Sequence, residues 1–331
     1  MSSPRILRPT LFLVSVLVLM AIPTALVSVI GWTSAALITS LCAISAIFNV
    51  MGFGWRGLVW SSSTTALAVL FAVVSSSNPW GSALLMLAVG LFYGWGNNRG
   101  LSAGNMVLPM IVAATIGSPP TITHIVLVDS VISALIAAGS MLFAGGIALA
   151  FMSRSIHAHA EIPQYSRKVN SVYTFNLSVL FATTGYLTAL HHDQIQGMWL
   201  ALTIVLIISP YIDASVRRGF ERAGGTILGF LIALGVATAI PATGLYYVVG
   251  LLFIELAVLS KINATNSYWL FVMFLTPGIV LVSGEPSQVT QFADWRLFVT
   301  MVAVTACLLL LGAERLLFYK GSLNKEPQQQ P

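Results

Sequence analysis

The chain has 331 residues, of which 57% are hydrophobic and only 8% charged, with a formal net charge of +5. A soluble globule carries about 25% charged residues, so this composition excludes a cytosolic enzyme, a nucleic-acid reader and a disordered scaffold. What remains is an all-α, polytopic protein of the lipid bilayer, and the mean hydropathy of +0.90 agrees.

Arg5 and Arg8 precede a first apolar run, but no small-residue cleavage site follows it, so residues 10–29 read as a retained span. A spanning helix needs about 20 mostly apolar residues. Further runs fall at 32–50, 58–75, 79–95, 103–120 and 131–152, then at 173–190, 196–211, 224–241, 244–260, 266–284 and 296–318. That gives twelve expected spans, or eleven if the short run ending at Pro210 fails to cross. Lys and Arg collect on the cytoplasmic side of membrane proteins. With the N-terminus inside, fourteen of the fifteen basic residues fall on that side and only Arg296 falls outside, which favours an even count and two cytoplasmic termini.

The two halves share landmarks. Trp32 matches Trp199 at an offset of 167, Arg56 matches Arg222 at 166, Gly117-Ser118-Pro119 matches Gly284-Glu285-Pro286 at 167, and Asp129 matches Asp294 at 165. The expected organisation is therefore a six-span repeat over 1–152, a cytoplasmic linker over 153–172, a second parallel six-span repeat over 173–320 and a disordered tail over 321–331. Parallel repeats of this kind suit halves that rock about a shared central site.

Spans five and eleven occupy equivalent places, and each carries a proline, Pro109 and Pro277, that removes a backbone donor. Asn105 and Asn266 sit near their cytoplasmic ends, and Tyr268, Trp269 and Thr276 surround Pro277. Paired interrupted spans point to a solute path, and their plainer role is kinking for packing. Glu255 is the one acid inside an apolar run, so it is the first candidate for proton coupling, with Asp213 second. Asp213, Arg217, Arg218, Glu221 and Arg222 form a charge-dense stretch read as a cytoplasmic membrane edge. The histidines at 157, 159, 191 and 192 come without further ligands, so no metal is expected. Cys42 and Cys307 lie in apolar runs and read as inert buried thiols. No Walker A pattern or catalytic cluster is present, so neither a cofactor nor enzymatic chemistry is expected.

One element is more specific. Trp199-Leu-Ala-Leu-Thr203 is followed by Pro210 and then by Arg222-Ala-Gly-Gly225-Thr226-Ile-Leu-Gly229. This stretch resembles the fusaric acid resistance family, also called the aromatic acid exporter family. The resemblance extends over about residues 195–310, through Tyr268-Trp269 and Thr276 to Arg296, and is weak in the first half. Gly225 and Gly229 share one helix face and permit close packing, while Arg222 is expected to snorkel at the inner interface and pair with Asp213 or Glu221. The resemblance implies a bacterial inner-membrane exporter of small organic, aromatic acids, working with a periplasmic adaptor protein. A proton gradient is the expected drive. A homo-oligomer is compatible with the chain, and no nucleic-acid partner is expected. The rival reading is a non-transporting scaffold or assembly subunit of an envelope complex.

The topology makes a direct prediction. Cysteines introduced at Ser77, Asp193 and Glu285 should react with an impermeant thiol reagent added from outside intact cells, and labelling of any of them only from inside overturns the twelve-span arrangement.

Overall fold

The computed structural model describes residues 7–97, 99, 105–151, 165–192, 194–239, 243–262, 267–283 and 289–318. Among them every regular element is helical. In chain order the helices are α1 (Leu7–Val29), α2 (Ala36–Ser75), α3 (Pro79–Asn97), α4 (Leu108–Gly117), α5 (Val126–Phe151) and α6 (Arg167–His191). They continue with α7 (Gln194–Ile207), α8 (Ile212–Ala239), α9 (Thr243–Ile262), α10 (Tyr268–Ser283) and α11 (Val289–Phe318). A short 3-10 turn, Thr33–Ala35, leads into α2.

Each expected apolar run holds one helical segment, because α2 is two arms joined at Gly54, where φ is 62° and ψ is −146°. By length and composition, four of the described helical segments suffice to cross a membrane: 33–75, Val126–Ala150, Ile212–Ala239 and Ala293–Leu316. The others are shorter or less uniformly apolar.

The described residues cluster into two compact units, one from Val14 to Val205 and one from Leu206 onward together with the start of α1. In the first, α5 packs along α2, and α6 packs along α3. The α3–α6 contact is close because small residues face each other. Gly90 and Gly94 on α3 meet Ser178 and Thr174 on α6, and Gly185 on α6 meets Met86 and the Ser82 carbonyl. At one end of this seam the buried Asn170 amide donates to the Gly94 carbonyl at 3.2 Å, and Asn97 donates to Asn170 at 3.4 Å. Helix α6 thus packs with helices that precede the linker, although its residues lie in the expected second half.

Every residue of α4 is buried, among α2, α3 and α6. Its proline differs from expectation. Pro109 lies in the first turn of α4 rather than mid-span, at a position where the missing N–H is not needed. Pro277, by contrast, lies inside α10. The landmarks matched between the halves have different surroundings: Arg56 is exposed and Arg222 buried, while Asp129 is buried and Asp294 exposed. Asp129 accepts from the Thr123 N–H at 2.6 Å and the Thr123 hydroxyl at 2.8 Å, which secures the turn before α5. Cys42 and Cys307 are free and buried, as their apolar runs suggested.

In the second unit α8 packs on α10 and α11, and α9 packs on α10. A core of Ala233, Val280, Leu281 and Ala293 joins α8, α10 and α11, with Phe230, Val249 and Phe253 packed against it.

The joint in α2 generates a prediction. Positive φ at Gly54 suits glycine and strains other residues by about 1–3 kcal/mol. Gly54→Ala should therefore lower the midpoint of thermal unfolding in detergent, while Gly52→Ala, where an added Cβ meets nothing within 4 Å, should leave it unchanged or higher.

Candidate functional site

The buried face of α8 is a stripe of small and polar residues at helical spacing: Ser215, Gly219, Arg222, Thr226, Gly229 and Ala233. The helix starts at Ile212, a dozen residues before the expected span, so the charge-dense stretch is helical. Its start is secured by Ser215, whose hydroxyl accepts from the Ser209 N–H at 2.8 Å and donates to the Ser209 and Tyr211 carbonyls. The exposed and buried charges then separate by face. Arg217 and Glu221 form an ion pair at 2.9 Å on the outer side, Asp213 is exposed, and Arg222 faces inward.

Arg222 is 1% exposed, so it neither snorkels to the interface nor takes Glu221 as its partner. The expected pairing with Asp213 or Glu221 fails because those residues point away from the buried face, one exposed and the other held by Arg217. The Nε and Nη1 atoms of Arg222 have no hydrogen-bond partner among the described residues. Nor do the hydroxyls of Thr226, one turn along α8, and of Thr276 on α10. Two further groups complete the cluster. Tyr268, at the start of α10, stands within electrostatic range of Arg222. Arg296 on α11 is 5% exposed and feels the Arg222 charge as well. Arg296 was expected in an outer loop, but α11 begins at Val289 and carries it inside the helix.

Close helix contact makes this arrangement. A Cβ added at Gly225 would lie 2.6 Å from the Trp269 carbonyl oxygen, and one at Gly229 would lie 2.7 Å from the Met273 carbonyl oxygen and from Thr276 Cβ. Only glycine lets α8 and α10 approach this closely. Thr226 and Thr276 are brought to the same seam, and Pro277 Cδ lies 3.0 Å from the position of a Gly229 Cβ. Aromatic rings border it. Tyr268 and Phe271 lie 6.1 Å apart between centroids, and Phe253 and Phe274 lie 6.4 Å apart.

Chemically, the cluster is a concentration of donors with positive charge. An arginine in the middle of a membrane helix costs about 2.5–3.5 kcal/mol on insertion scales. A second buried guanidinium nearby adds repulsion. An anion would relieve both and occupy the vacant donors.

The remaining candidates are dispersed. Glu255 is half-buried on α9, Trp269 is 36% exposed, and Asn266 lies outside the described residues. Asn105 and Pro109 belong to the first unit, where the Asn105 amide nitrogen is buried without a hydrogen-bond partner. The sequence marks Arg296 only as the lone outer basic residue and as a family-like feature, not as part of a buried site. Its signal was available in the helical spacing of Ala293, Arg296, Thr300 and Ala303, which fall on one buried face of α11.

The chain is similar to known proteins over part of its length. The family model described as fusaric acid resistance protein-like matches residues 178–310, which include α8, α9, α10 and most of α11. The aluminum-activated malate transporter 1 of Triticum aestivum is 26% identical over 128 residues, covering 34% of this chain. The match spans 28% of that transporter's own length. No solved structure matches.

The uncompensated charge has a measurable consequence. Arg222→Met keeps much of the side-chain volume and removes a buried cation, and replacing buried charges by apolar groups is often stabilising by about 1–4 kcal/mol. In detergent free of organic anions the variant should unfold at a higher temperature than the unaltered protein. A lower midpoint would mean that Arg222 is fully compensated within the fold.

Proposed function

We propose that the protein carries small organic acids across the membrane, with the Arg222 guanidinium receiving the carboxylate of the solute. The observation that carries this reading is the burial of Arg222 with Nε and Nη1 vacant, beside a second buried cation, Arg296. Two hydroxyls, on Thr226 and Thr276, supply further donors on the same seam. The family likeness over residues 178–310 and the likeness to a malate transporter support an organic anion as the cargo.

An aromatic acid suits the site best within this class. The Tyr268 and Phe271 rings offer a flat apolar border beside Arg222, on which a second ring can stack while its carboxylate meets the guanidinium. The wider reading places the protein in a bacterial inner membrane with twelve spans and both termini in the cytoplasm, and joins it to a periplasmic adaptor. In that reading Glu255 takes up and releases the coupling proton as the solute crosses, with Asp213 as the alternative.

Proteoliposomes loaded with radiolabelled benzoate or malate test this reading. The unaltered protein should release benzoate faster than malate, and Arg222→Gln should reduce the flux of both at least tenfold, since a charge-assisted contact worth about 1.5–3 kcal/mol is lost. Glu255→Gln should keep exchange between equal solute pools and abolish accumulation driven by a pH gradient. Unchanged flux in Arg222→Gln would remove the carboxylate role, and an unchanged pH response in Glu255→Gln would remove the coupling role.

A further inference from the structure

The second arm of α2, residues 55–75, and α3 form an antiparallel hairpin closed by the tight turn at Ser76–Asn78, where the Ser82 hydroxyl donates to the Ser75 carbonyl. The outer face of this hairpin is apolar and open. It presents Leu67 and Phe71 on α2, with Leu84 and Leu91 on α3. The arm is about 30 Å long at 1.5 Å per residue, the thickness of a bilayer's hydrocarbon core. Its two ends differ. At the turn end stands Trp80, packed on Tyr186 at 5.0 Å, with no cation beside it in the hairpin. At the other end Trp60, Phe92 and Trp95 form a cluster with centroids 5.9–6.5 Å apart.

Two exposed arginines crown that cluster. Arg56 lies four residues before Trp60, and Arg99 lies four residues after Trp95. Because the two arms of the hairpin run in opposite directions, both lie at the same end of it, Arg56 one helical turn before Trp60 and Arg99 in the turn after α3. The Arg99 guanidinium sits over the Trp95 ring at 4.1 Å, and that of Arg56 lies 5.7 Å from the Trp55 ring. Each guanidinium is held beside an indole by a cation–π contact, and both side chains are exposed, so their N–H groups stay open to a ligand. Among the described residues neither arginine forms an ion pair with a carboxylate. Asp129 is the sole acid in residues 1–160, and its carboxylate is taken up by Thr123.

We propose that this end of the α2–α3 hairpin is a binding site for an anionic phospholipid, whose phosphate and headgroup are held between Arg56 and Arg99 and whose acyl chains lie along the apolar face toward Leu67 and Leu84. Charge complementarity selects the headgroup, and the ring cluster marks the depth at which it sits. The proposal is independent of the solute path, because none of its residues belongs to the α8–α10–α11 cluster.

The full chain, purified in detergent, can be examined by native mass spectrometry with added phosphatidylglycerol or phosphatidylcholine. The unaltered protein should retain phosphatidylglycerol at least tenfold more tightly than phosphatidylcholine. Arg56→Gln and Arg99→Gln should each reduce that retention about fivefold, with little effect on phosphatidylcholine and with the lipid-free unfolding midpoint unchanged. Equal retention of the two lipids by the unaltered protein would mean a nonselective interfacial belt and overturns the site. So does full retention of phosphatidylglycerol in the double variant, or a dimer of this chain that excludes lipid from the face. If the double variant does not fold, the preference of the unaltered protein and the effect of each single variant decide the matter.

Discussion

The close approach of α8 to α10 is the contact on which the candidate site depends. Two glycines, Gly225 and Gly229, remove the side chains that would hold the helices apart, and the carbonyls of Trp269 and Met273 fill the space. In a bilayer this matters more than in water. Lipid is as apolar as leucine, so helices gain little from burying apolar area against each other and associate through backbone proximity and polar contacts. The same seam therefore turns Thr226 and Thr276 inward and sets Arg222 where solvent cannot reach it.

Much of this architecture is legible in the sequence, because the apolar runs are long and turn residues separate them. The helical segments follow those runs, and the Arg-x-x-Gly-Thr-x-x-Gly element marks the seam on which the site is built. The depth of the arginines was harder to read. Asp213, Arg217, Arg218, Glu221 and Arg222 together look like a solvated edge when counted as charge. Read at helical period, the same residues divide into an outer face, where Arg217 meets Glu221, and an inner stripe running from Ser215 through Arg222 to Ala233. Arg296 was misplaced for a related reason: Asp294 and Trp295 resemble a loop, yet they are the exposed face of a helical turn whose buried face is Ala293 and Arg296.

Glycine and proline were also read with different success. Pro277 lies inside a helix, whereas Pro109 begins one. The distinction depends on where the preceding turn ends, which neither hydropathy nor proline itself reports. Gly54 escaped attention because its significance is a backbone angle. It divides α2 into two arms, which hold the expected runs 32–50 and 58–75.

The seam between α3 and α6 bears on descent. Its small residues come from α3 and from α6, on opposite sides of the segment 152–166, and the Asn97–Asn170 contact closes one end of it. A gene fragment ending at the linker would encode α3 with a notched, hydrogen-bonding face turned to lipid, and the complementary fragment would carry α6 with its matching hydroxyls equally bare. Neither would be a portable module. If the chain arose by doubling of a shorter ancestor, that ancestor needed a second copy of itself to supply the missing helix, and fusion into one polypeptide converted an association between molecules into one within a molecule.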